Sequence, residues 1–142
     1  MAVPEWPDSL PQRPMTDGYV ETLRDGRLRS AMEIGPGKMR RRYTNAARPV
    51  TLNFVLTTVQ RFRLDRFWDE DTYGGTLPFY IPDPARNGAQ IVTSDGAILT
   101  TNDGSVVTVR ARWLALFAEP PRITPFALQF QADVTLSVLR RP

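Results

Sequence analysis

The sequence predicts a mainly β fold, a small β-sandwich or open barrel with one flanking α-helix. Three observations predict it. Apolar and polar residues alternate at period two over residues 50–56, 107–117 and 126–138, whereas a helix start signal stands only before residues 58–69. The turn dipeptides Gly74-Gly75, Asp95-Gly96 and Asp103-Gly104 punctuate the alternating runs. A length of 142 residues suits one domain that buries its own core without covalent staples.

Residues 1–24 read as an extended, Pro-rich arm preceding a single β-rich domain over residues 25–142. Pro4, Pro7, Pro11 and Pro14 deny this segment a helix interior or a central strand. Trp6, Leu10, Met15 and Tyr19 are its only sizeable apolar anchors, so the arm is expected either to stay disordered as a tail or, the sharper reading, to lie along a neighbouring subunit with Trp6 in a pocket there.

Residues 27–34 alternate as a strand, and Gly35-Pro36-Gly37 turns the chain. In the following ribbon, period two sets Lys38, Arg40 and Arg42 on one face and Met39, Arg41 and Tyr43 on the other. Charge on both faces rules out a core strand. Residues 50–56 form the first core strand, with Val50, Leu52, Phe54 and Leu56 sharing a face. The run Thr57-Thr58-Val59-Gln60 has capping-box spacing, which starts a helix over residues 58–69. Gly74-Gly75 ends that region, and residues 77–81 form a short aromatic strand closed by Pro82-Asp83-Pro84. Two tight turns follow at Asp95-Gly96 and Asp103-Gly104. The last third reads as two long strands joined at Pro120-Pro121: odd positions from Val107 to Phe117 face inward, then even positions from Phe126 to Val138. The second would span about 43 Å at roughly 3.3 Å per residue.

Composition narrows the function. Absence of cysteine removes disulfides, thiolate metal sites and thiol nucleophiles, and absence of histidine removes the commonest general acid/base and zinc ligand. The residues therefore give no reason to expect an enzyme, a metal or another cofactor. A carboxylate pair drawn from Asp69, Glu70, Asp83 and Glu119 is the one catalytic alternative. The N-terminus has neither a basic n-region nor an apolar h-region, and no apolar run is long enough for a membrane anchor. Formal net charge is +3, but residues 24–66 carry eleven Arg or Lys against Asp25, Glu33 and Asp65, a balance of +8. Such polarity meets either nucleic acid or an acidic face on another subunit.

The residues singled out for subunit contact are thus Trp6, the ribbon Lys38, Arg40, Arg41, Arg42 and Tyr43, and the acidic run Asp69, Glu70 and Asp71 as its counter-charge on the next copy. The alternatives for the ribbon are a solvated charged edge and a nucleic-acid site, with phosphates held by Lys38, Arg40 and Arg42 and a base stacked on Tyr43.

Taken in order, Gly18-Tyr19, the basic strand from Lys38 to Thr44, the strand over 50–56, the helix closing on Phe67-Trp68, Gly74-Gly75 with Phe79, and Pro82 to Pro84 resemble the minor tail proteins of long-tailed, non-contractile phages. The nearest likeness is to the lambda minor tail protein M type and distal tail protein relatives, over roughly residues 18–117. The resemblance implies a tail-tube-like fold. It also implies a virion protein of the tail tip, assembled in the host cytoplasm as a six-fold ring between tail tube and baseplate hub. Its partners would be its own copies and those tail proteins, with DNA passing through the lumen unread.

Overall fold

A computed structural model describes residues 2–42 and 46–140. The fold is mainly β, with one short α-helix and open antiparallel sheets rather than a closed barrel. The elements are β1 (Val20–Glu21), β2 (Arg27–Ser30), β3 (Lys38–Arg41), β4 (Arg48–Leu56), α1 (Thr58–Arg66), β5 (Phe79–Pro82), β6 (Arg112–Phe117), β7 (Arg122–Phe126) and β8 (Gln129–Arg140). The main sheet runs β1-β4-β8-β6-β5, with β7 also on β8, and β2-β3 form a separate two-stranded ribbon.

The alternating pattern builds the inner face as expected. Val50, Leu52, Phe54 and Leu56 of β4 pair across to Leu136, Val134, Ala132 and Phe130 of β8, and all but Phe130 are buried. Trp113, Ala115 and Phe117 of β6 and Phe79 and Ile81 of β5 extend the same face. Thr57 caps α1 through the full capping box: its hydroxyl accepts from the Gln60 amide at 3.3 Å, and Gln60 Oε1 accepts from the Thr57 N–H at 3.0 Å. The helix then loosens into a π turn over Phe67–Asp71 rather than continuing regularly to residue 69. Thr72, wholly buried, closes it by donating to the Trp68 carbonyl at 2.9 Å and accepting from the Gly75 N–H at 3.2 Å. Gly75 has φ +81°, and a Cβ there would lie 2.3 Å from the Trp68 ring, so this glycine makes the niche in which the indole sits against Phe117.

The arm is where the structure departs most from expectation. Instead of reaching a neighbour, residues 2–22 strap their own sheet from edge to edge. At one edge Glu5 pairs with Tyr80 of β5, with the Trp6 N–H donating to the Tyr80 carbonyl at 2.7 Å. At the other, Val20 and Glu21 pair with Thr51 and Val50 of β4. Between them Trp6 and Leu10 descend into the core, 4 % and 2 % exposed. The Trp6 ring centroid lies 5.4 Å from Phe54, 5.6 Å from Phe67 and 6.3 Å from Phe79. Burial explains the correction: the sheet's inner face is apolar across β4, β8, β6 and β5, and one short helix covers only part of it. The arm completes the second layer and covers both sheet edges.

The C-terminal hairpin also differs. The inward set changes from odd to even numbers at a two-residue turn, Ala127 and Leu128, not at Pro120-Pro121. Thus β6 and β7 lie end to end along one side of β8, Ile123 faces Ala132, and Phe126 faces Gln129. Phe126 and Leu128, expected in the core, are 49 % and 97 % exposed. Upstream, the chain leaves the sheet before Arg112, so Val107 and Val109 belong to another structure.

Candidate interaction surfaces

The ribbon forms as the alternation predicts, with Arg27 opposite Arg41, Leu28 opposite Arg40, Arg29 opposite Met39 and Ser30 opposite Lys38. Cross-strand partners share a face. One side therefore carries Arg27, Arg29, Arg41 and Met39, and the other carries Arg40, Lys38, Leu28 and Ser30. Both faces are basic, and every residue from 27 to 42 is exposed except half-buried Leu28. Among the described residues the strands pair only with each other. Asp25 anchors the base, accepting from Arg27 Nε at 2.8 Å and Nη2 at 3.0 Å, and this pairing holds its carboxyl down at about 2. Tyr43 lies outside the described residues.

Asp69, Glu70 and Asp71 end the helical segment but do not present one acidic face. Asp71 accepts from Arg63 at 3.1 Å and Glu70 from Arg66 at 2.7 Å. Two of the three expected counter-charges are thus occupied within the chain, by partly exposed pairs worth little to stability. Of the candidate carboxylates, Asp83 and Glu119 lie beyond opposite ends of β6. Asp83 is buried and spends its side chain on the Ala85 and Arg86 N–H groups, at 2.9 and 3.3 Å, beside Ala111 before β6. Glu119 follows the other end of that strand. No group of three or more carboxylates that could hold a metal ion occurs among the described residues.

An open cleft of about 430 Å³ runs between the arm and residues 108–112. Arg112 crosses it, bonding Glu5 at 2.8 Å and lying 4.0 Å over the Tyr80 ring. These contacts fasten the arm to β6.

One feature escaped the sequence reading although its signal is plain. Residues 86–109 are three tandem octapeptides, RNGAQIVT, SDGAILTT and NDGSVVTV. They close on themselves with pseudo-threefold symmetry. The Leu99 N–H donates to the Ile91 carbonyl at 2.9 Å, Val107 to Leu99 at 2.9 Å, and Ile91 to Val107 at 3.1 Å. At the corners Thr93 donates to Ala97, Thr101 to Ser105 and Val109 to Ala89, each at 2.8 Å. The corner glycines Gly88, Gly96 and Gly104 have φ of +82°, +83° and +83°. The bridged pairs Gln90–Thr108, Val92–Ile98 and Thr100–Val106 repeat the same relation. By pairing and alternation these six side chains share one side of a triangular plate, with Ile91, Leu99 and Val107 on the other. Within residues 88–109 only Ile91 and Val107 are even half-buried. The plate carries two acidic residues, Asp95 and Asp103, at successive corners, each accepting a hydrogen bond from Ser94 or Thr101, and Arg86 opens the first octapeptide.

The chain thus has two projections, a basic ribbon and a triangular plate, on a closed body. No family model matches the chain, and no curated protein matches it.

Proposed function

We propose that this chain is a structural virion protein of a phage tail tip, assembling with its own copies into a ring, six-fold by its resemblance to minor and distal tail proteins, around a channel for DNA. One observation carries the reading. The ribbon β2-β3 is an isolated two-stranded hairpin bearing exposed Ile34, Met32 and Met39 among its arginines, and such a hairpin alone is marginal in water. Docking on a further surface would supply what the chain itself does not. The arm offers no such docking surface, because it completes its own core.

Sedimentation velocity and native mass spectrometry on the purified chain, with blotting of purified tails, test the reading. A closed oligomer and incorporation into tails are expected. A monomer at every concentration, absent from tails, would remove the proposal.

A second reading rests on the same ribbon. Arginines on both faces suit a polyanion, and nucleic-acid binding would then weaken steeply with salt through counterion release. Under the ring reading, Arg40→Glu with Arg41→Glu lowers assembly; under the second, it abolishes salt-sensitive DNA binding and leaves the oligomeric state alone.

A further inference from the structure

We infer that the basic ribbon of one copy docks on the triangular octapeptide plate of the next, a head-to-tail contact that supplies the link between copies in the assembly proposed above. The inference rests on that ring reading and names its two surfaces.

Charge complementarity points to a second copy as the occupant. Residues 24–42 carry seven Arg or Lys against Asp25 and Glu33, a balance of +5, whereas the octapeptides of residues 86–109 carry Asp95 and Asp103 against Arg86, a balance of −1. Both carboxylates stand exposed at plate corners and are oriented by neighbouring hydroxyls, so they meet an approaching guanidinium without reorganising. Apolar surface matches as well. The plate shows Val92, Ile98 and Val106, 58 %, 50 % and 43 % exposed, and the ribbon shows Ile34 and Met39. Neither surface spends its backbone on the body: among the described residues, the hydrogen bonds of residues 90–108 close within 88–109, and β2 and β3 pair only with each other. A contact between two different surfaces of one chain is heterologous, so it propagates and closes into a ring when the rotation permits.

Charge exchange tests this. One variant carries Asp95→Arg and Asp103→Arg; the other carries Lys38→Glu, Arg40→Glu and Arg41→Glu, which take the ribbon from a balance of +5 to −1. Each alone sets like charges across the contact and is expected to weaken self-association at least about tenfold. Mixed in equal amounts, each variant's ribbon faces the opposite charge on the other's plate, and assembly returns. Circular dichroism melting of each variant, unchanged from wild type, separates this from misfolding, since both sets lie off the body. A wild type that assembles while the plate variant assembles equally well overturns the docking and leaves the ring reading standing. Folded variants that fail alone and fail together also overturn it. A wild type that stays monomeric removes both. Loss of DNA binding in the ribbon variant with unchanged assembly assigns the ribbon to nucleic acid instead.

Discussion

In the body of this protein Trp113 and Phe79 are fully buried and Trp6 is packed among three aromatic rings, while in the ribbon and plate Ile34 is 90 % exposed and Val92 58 %. Both regions are rich in β structure with apolar residues at period two. They differ in what lies on the second face. The body has the arm and α1 as its covering layer; the ribbon and plate are single layers that hydrogen-bond within themselves and leave most of their side chains exposed. Hydrogen-bond closure alone therefore makes an element without making a core, and a single layer is a surface to be covered.

Mutations break or sharpen this contrast. The largest effect is expected from Trp6→Ala. If the arm belongs to the body, the change costs about 3–5 kcal/mol in denaturant unfolding. If the wild-type midpoint persists and only assembly is lost, the arm belongs to a neighbour after all. Next comes Gly75→Ala, which sets a Cβ into the Trp68 ring at a positive φ and should cost about 1–3 kcal/mol in the same measurement; an unchanged midpoint would show that the indole does not lie where it is described. Ala127 is the one hairpin residue forced to φ +52° without being glycine. Ala127→Gly should therefore raise stability by about 1 kcal/mol, and a loss instead would mean that the turn is differently built.

The smallest effect concerns the ribbon and is read by pH. Asp25 titrates at about 2 rather than 3.8 because Arg27 holds its carboxylate. A depressed folded value means the contribution is complete above the ordinary value and is lost as pH falls through the depressed one. Amide exchange or NMR shifts of residues 25–30 should loosen between about pH 4 and 2, with Asp25→Asn abolishing the transition. Global unfolding at neutral pH should not move measurably, because the pair is exposed.

Much of this fold was legible because its causes are local. The Thr57 capping box, the glycine turns and the inward set of β4 each follow from a few adjacent residues, and the structure has them where the residues call for them. The basic ribbon was legible too, as charge on both faces of an alternating segment. The plate was half legible: its octapeptide period stands in the chain, but two Asp-Gly turns were read singly rather than as members of a series with Asn87-Gly88.

Alternation by itself determined that residues 112–117 and 129–138 would be strands with one apolar side. It did not determine where the inner face changes from odd to even residues, because Phe126 and Leu128 continue the even series of β8 by their apolar character alone. Tertiary pairing decided that. A two-residue loop sets Phe126 opposite Gln129 and so turns it outward. The same holds for Trp6, whose place depended on an uncovered sheet more than 40 residues away in the chain. Apolar character states that a side chain will leave water. Which surface receives it is a property of the assembled layers, since burial has no direction along the chain.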